Sequence, residues 1–161
     1  MLQLVPMTDT EFQAFRAADT AEYAQEHVKA GRWRPEESLH LAEQEFDDLL
    51  PHGLATPNQY LFSLRDEALG TPVGSLWFAL REEGGEPTAF VFKIVIFEAF
   101  RRRGYGTQAM QALEEKVRQL GLSTISLHVF GHNYAARAMY EKLGYATTNV
   151  MMRKMLKPQG D

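Results

Sequence analysis

The chain has 161 residues, 45% hydrophobic and 24% charged, which excludes a largely disordered protein and fits one domain over residues 1–161. Lys and Arg number 17 against 21 Asp and Glu, a formal net charge of −4, so the basic excess of a general nucleic-acid coat is absent. There is no cysteine, hence no disulfide, thiolate nucleophile or cysteine-held zinc.

No stretch approaches the roughly 20 apolar residues that span a bilayer. The opening MLQLVPMTDTE lacks the positive charge and apolar run of a signal peptide. The expectation is a cytoplasmic protein that binds neither membrane nor nucleic acid.

Residues 2–6 alternate apolar and polar, as a short edge strand does. Thr8-Asp9-Thr10-Glu11 is a capping box and predicts a helix from about 9 to 30, ended by Gly31. Pro35 opens a second helix at its first position, with Glu36 and Glu37 in the favourable first turn. Leu39, Ala42, Phe46 and Leu49 are its expected buried stripe, and Pro51 and Gly53 close it.

The period then changes. Residues 59–65, 72–81 and 88–97 are rich in Phe, Val, Ile, Leu and Trp and are separated by Gly/Pro-rich turns, which predicts three antiparallel strands. The third, AFVFKIVIF, is apolar on both faces and belongs in the centre of a sheet. Trp77, Phe78, Phe90 and Phe92 read as core. Residues 104–120 return to a helical stripe of Met110, Leu113, Val117 and Leu120. A strand over 124–130, a short helix over 133–143 and a last strand from Tyr145 to Leu156 complete the order. An α/β (α+β) fold follows, with a mixed sheet and helices on both faces.

Chemistry concentrates in Arg101-Arg102-Arg103-Gly104-Tyr105-Gly106-Thr107, between the central strand and a helix. Two glycines allow a tight turn and close backbone approach. The first helical amides lack internal partners and carry the positive end of the dipole, which suits a phosphate. Three arginines add charge-assisted donors. The P-loop pattern GxxxxGK[ST] is absent. Gly104-x-Gly106-x-x-Ala109 matches a dinucleotide fingerprint by letter, but residues 123–131, STISLHVFG, hold no acidic residue for a ribose hydroxyl.

Arg101-x-x-Gly104-x-Gly106 remains, and here the chain resembles the GCN5-related N-acetyltransferase (GNAT) superfamily. Asn133-x-x-Ala136-x-x-x-Tyr140-x-x-x-Gly144-Tyr145 is similar to a second motif of that superfamily. Ala30-Gly31-x-Trp33-x-Pro35-Glu36 and Leu49-Leu50-Pro51-x-Gly53-Leu54-x-Thr56-Pro57 resemble a branch of small bacterial acetyltransferases.

The resemblance implies six to seven strands, splayed between the fourth and fifth, and direct transfer of an acetyl group from acetyl-CoA to an amine. It implies cofactor contacts at Ile94, Val95 and Ile96, at Arg101 to Thr107 (including Arg102, Arg103, Gly104, Tyr105 and Gly106), and at Asn133, Tyr140 and Lys142. Tyr140, as a phenol, suits protonation of the leaving thiolate. Independent readings stay open: Asn133 as a helix N-cap and Tyr140 as a half-buried core ring.

The base is open between Glu98, His128 and a water chain. Lys93 stands where this branch tends to carry an acidic residue, and either repels a cationic acceptor or binds an acidic one. Tyr23, Trp33 and His40, in or between the first two helices, are acceptor-side candidates. No metal is expected: His128 and His132 straddle Gly131 and share no helix face. The acceptor is expected to be a small-molecule amine. A protein lysine or N-terminus, or a CoA-binding module without transfer activity, are the alternatives. The assembly is expected to be a monomer or homodimer.

Overall fold

A computed structural model describes residues 1–160. The chain falls into two compact units, Met1–Phe130 and the segment from Gly131 onward. The first holds β1 (Leu2–Pro6), α1 (Asp9–Lys29), α2 (Pro35–Leu49), β2 (Gln59–Asp66), β3 (Pro72–Glu83), β4 (Glu86–Ile96), α3 (Tyr105–Gln119) and β5 (Ile125–Leu127). The second holds α4 (Tyr134–Lys142).

The strands lie in the order β1-β2-β3-β4-β5, antiparallel except that β5 runs parallel to β4. Side-chain alternation sends paired Leu61 and Trp77 to one face, where they meet Phe12, Phe15 and Phe46 of α1 and α2. Phe62 points the other way, with the Lys116 ammonium of α3 5.9 Å from its ring centre. Met110, Leu113 and Val117 of α3 are buried, as their spacing predicts.

The capping box forms: Glu11 N–H donates to Thr8 Oγ1 (3.2 Å) and Thr8 N–H to Glu11 Oε2 (2.9 Å). Glu11 also accepts from Ser63 Oγ at 2.9 Å and pairs with Arg65, which pins the start of α1 to β2. The Thr8 backbone amide is the main cause holding the Glu11 carboxyl below its ordinary range.

Three expectations are corrected. Residues 145–156 form no strand, and the sheet has five strands among the described residues, fewer than the expected six to seven. Val150, Met151, Met152, Met155 and Leu156 are exposed. Strand-prone composition makes a strand only where an edge is there to pair with it. In α2 the buried stripe is Ser38, Ala42 and Phe46, while Leu39 is 49% and Leu49 37% exposed. Ser38 fits the buried side because its hydroxyl donates to Pro35 O at 2.9 Å. The 124–130 strand shrinks to Ile125–Leu127, the three residues that pair with Ala89–Val91.

Gly74 on β3 sits opposite Ile96, and a Cβ built there would lie 2.1 Å from the Val95 carbonyl oxygen. Gly74→Ala therefore forces β3 and β4 apart. It is expected to destabilise the fold by about 3 kcal/mol, read as a lower urea midpoint.

Candidate active site

The site begins with a break in pairing. Lys93 pairs with Trp77 and Val91 with Phe78, so Phe92 is an extra residue that bulges β4. On the other edge the β5 ladder ends at Val91–Leu127. From Phe92 to Ile96, β4 has no strand partner on that edge among the described residues. Unpaired main-chain groups in a sheet centre need partners from elsewhere. One is supplied by the chain itself: Arg101 Nε donates to Ile96 O at 3.1 Å.

β4 leads through a 3-10 turn, Glu98–Phe100, into the arginine–glycine loop. Arg102 and Gly104 both adopt left-handed backbone, at φ 61° and 81°. Gly104 is the N-cap of α3 and brings no side chain to cap it, so the first-turn amides of Tyr105, Gly106 and Thr107 have no helical partner. Nothing outside its immediate chain neighbours lies within 4 Å of where a Gly104 Cβ would stand. Arg101, Arg102 and Arg103 are exposed. Tyr105 is buried and its hydroxyl donates to Asp66 Oδ2 at 2.6 Å, so its side chain anchors α3 to the end of β2 and only its amide faces the loop.

On the α1–α2 face lies a second cluster. Lys93 Nζ stands 2.8 Å from Glu22 Oε2 and 3.7 Å from Asp19 Oδ1, with the Lys93 and Asp19 side chains 19% and 13% exposed. Two carboxylates against one ammonium leave negative charge, so Lys93 neither repels a cation unopposed nor waits unpaired for an acid. Burial pushes the Asp19 carboxyl up to about 6, with Lys93 pulling the other way. Four and eight residues on, Tyr23 and His27 continue the same helix side. The Tyr23 hydroxyl donates to Glu45 Oε2 at 2.9 Å, and burial followed by this bond raises its pKa.

His27 is 3% exposed, stacks on Trp33 at 4.0 Å, and neither ring nitrogen has a hydrogen-bond partner. Burial lowers its pKa. Tyr23 meets Trp33 edge-on at 5.6 Å, and Phe130 meets His27 at 5.3 Å.

The expected acceptor-side residues thus divide. Tyr23, Trp33 and Lys93 are brought to one face, while His40 is exposed on α2. Of the candidate bases, Glu98 is exposed on its 3-10 turn, and His128 is exposed beyond β5, its ring 5.0 Å from Phe130 and its pKa lowered by partial burial. Sequence reasoning missed Asp19 and His27. Their signal was the i, i+4, i+8 spacing of Asp19, Tyr23 and His27 in register with buried Phe15.

In the second unit, Asn133 is the N-cap of α4, as its independent reading has it, though its side chain makes no capping bond. Tyr140 lies two turns on, 5.7 Å from the Tyr145 ring, with burial raising its phenol pKa. Lys142 is the last residue of α4.

The acetyltransferase (GNAT) family model matches residues 16–145. The uncharacterized N-acetyltransferase YycN of Bacillus subtilis is 41% identical over 155 residues, 96% of this chain and 99% of that protein. The uncharacterized N-acetyltransferase YdgE of the same organism is 35% identical, covering 95% and 97%. The crystal structure of YycN superposes with a TM-score of 0.93 at 40% identity over 98% of this chain and 100% of the other. At 15% identity, AAC(6')-Iy in complex with a CoA bisubstrate analog shares the fold with a TM-score of 0.62, covering 98% and 99%.

The raised Asp19 pKa has a consequence for stability. Folding tightens proton binding at this carboxyl, so the stabilisation it contributes is full below about pH 4, its ordinary range, and is lost as pH rises through about 6. Relative to the wild type, Asp19→Asn is expected to gain about 2 kcal/mol between pH 4 and pH 7. Urea unfolding of both proteins across that range measures the difference.

Proposed function

Because the chain belongs to the acetyltransferase (GNAT) family, we propose that it transfers an acetyl group from acetyl-CoA directly to the primary amine of a small molecule. The observation that carries this reading is the parting of β4 from β5 at Phe92, directly upstream of a loop whose helix-start amides are uncapped. An open strand edge suits the amide groups of an extended pantetheine arm, which would add to it as a further strand. The uncapped amides of Tyr105, Gly106 and Thr107, with Arg101 to Arg103 beside them, suit a diphosphate.

Acetyl-CoA supplies the activated acyl group. The protein's part is to stabilise charge and move protons. A main-chain amide among Ile94, Val95 and Ile96 would donate to the oxygen on which negative charge develops, the role of an oxyanion-hole donor. Tyr140, kept neutral by its raised pKa, would give its proton to the departing sulfur. Asn133, from the same motif as Tyr140, and Lys142, the last residue of the helix that carries Tyr140, would contact the same cofactor. The low exposure of the Lys93 and Asp19 side chains, 19% and 13%, supports a small molecule over a protein segment. The surplus of carboxylate there favours a cationic acceptor over an acidic one.

The direct test is release of free CoA from acetyl-CoA with a panel of polyamines, amino acids, simple alkylamines and peptide N-termini. At least one small amine is expected to give turnover. Retention of acetyl-CoA with no release for any acceptor would leave only a binding role.

Tyr140→Phe is expected to lower kcat by about 10²–10⁴ with acetyl-CoA affinity little changed. Unchanged turnover removes Tyr140 from the chemistry. Gly104→Val places a branched side chain at φ 81° over the loop amides. It is expected to weaken acetyl-CoA binding at least about tenfold, roughly 1.4 kcal/mol, measured by calorimetry.

A further inference from the structure

The inner face of α1 changes character halfway along. Phe12 and Phe15 are buried in the apolar core, and one turn later the same side carries Asp19, then Tyr23, then His27. Ionisable groups are costly to bury and are seldom kept inside unless fully paired. Here pairing is incomplete at two of the three positions. The Lys93 ammonium is 3.7 Å from Asp19 Oδ1, beyond hydrogen-bonding distance, because it is held at 2.8 Å by Glu22. His27, 3% exposed, leaves both ring nitrogens without a partner. The Asp19 carboxylate therefore lacks a close cationic partner, and two turns on His27 leaves its polar ring atoms unsatisfied.

We propose that Asp19 receives the acceptor's ammonium group and removes its proton, with Lys93 as the residue that positions and tunes it. This rests on the acetyl transfer proposed above and names the base that reaction needs. An incoming ammonium supplies the close positive partner that Lys93 does not.

The proton balance is simple. One N–H bond of the ammonium breaks, its proton forms an O–H bond on Asp19, and the lone pair stays on nitrogen. That pair forms the new C–N bond as the C–S bond breaks. A second N–H proton lost from nitrogen balances the one taken up by sulfur, and the proton on Asp19 returns to solvent.

Glu22 is a poorer candidate, being 52% exposed and already bonded to Lys93. Glu98 and His128 are exposed. The charged and titratable groups that face Asp19 are Lys93 from β4 and Glu22 and Tyr23 from α1, while Glu45 of α2 reaches it through the Tyr23 hydroxyl. Burial and Glu22 raise the Asp19 pKa and Lys93 lowers it, so the carboxylate is ionised near neutral pH yet more basic than an exposed one.

The test uses the full chain with carbon-13 label at aspartate side-chain carboxyls. The Asp19 signal is assigned by its loss in Asp19→Asn. It is expected to titrate near pH 6, to move higher in Lys93→Met, and to move lower when n-butylammonium is added. A signal that titrates near pH 4 and ignores both changes overturns the proposal.

For whichever amine of the panel is acetylated, Asp19→Asn should lower kcat/KM at least about 100-fold and abolish the acidic limb of the pH profile. Lys93→Met should shift that limb to higher pH, which a merely structural ion pair would not do. An Asp19→Asn enzyme with wild-type kcat/KM and an unchanged limb also overturns it. If no amine is acetylated, the transfer reading fails, and the carboxyl titration with n-butylammonium still decides whether Asp19 receives an ammonium.

Discussion

Everything in the candidate site depends on one strand leaving its neighbour. A strand in the middle of a sheet normally spends all its amides and carbonyls on the two ladders beside it. β4 keeps its antiparallel ladder with β3 but loses its parallel one after three residue pairs. The extra residue at Phe92 bends the strand where this happens, and the Phe92 ring stacks on Trp77 at 4.4 Å, which fixes the bulge into the α1–α2 core. The result is a half-buried stretch of backbone, Phe92 to Ile96, with no strand partner on that edge among the described residues. The chain then turns through Arg102 and Gly104, both in left-handed conformation, and exposes a helix start with no cap of its own. Both stretches lie within the sixteen residues from Phe92 to Thr107.

The second constraint is electrostatic and centres on Lys93 of the same strand. α1 is pinned at its start by the Thr8–Glu11 box and by Glu11's bonds to Ser63 and Arg65 of β2. That rigidity holds the ionisable half of the helix over β4 at Lys93. Polar groups placed so that neither water nor protein fully satisfies them are unfavourable for folding and favourable for a ligand that completes the set. Lys93 has a double role in this picture. It keeps Asp19 ionised near neutrality, and by bonding to Glu22 it stays far enough away to leave the carboxylate available.

Much of the architecture could be read from local chemistry. The capping box, Pro35 at the head of α2, the Gly-rich turns of the meander and the stripe of α3 are short-range patterns whose physics lies within a few residues. The loop's chemistry was equally local. The end of β5 was not, because pairing depends on which residues of β4 lie opposite. Nor was the exposure of residues 150–156, whose apolar composition mimics a strand. Leu39 and Leu49 misled for a similar reason: the buried side of α2 is set by the face its neighbours offer, and Ser38 could take that side by bonding to its own helix. Asp19 was hidden by ordinary surroundings, since a helix rich in Ala, Asp, Thr and Glu carries many solvated carboxylates. Only the partner at position 93, more than seventy residues away, distinguishes it.

The central claim is that the free edge of β4 and the first amides of α3 hold acetyl-CoA together. Hydrogen exchange of the full chain with and without acetyl-CoA tests it most directly. Exchange should slow in both segments, Phe92 to Ile96 and Tyr105 to Thr107, and by comparable factors, because one extended ligand bonds to both. Slowing confined to one segment, or exchange at both that is indifferent to acetyl-CoA, would contradict it.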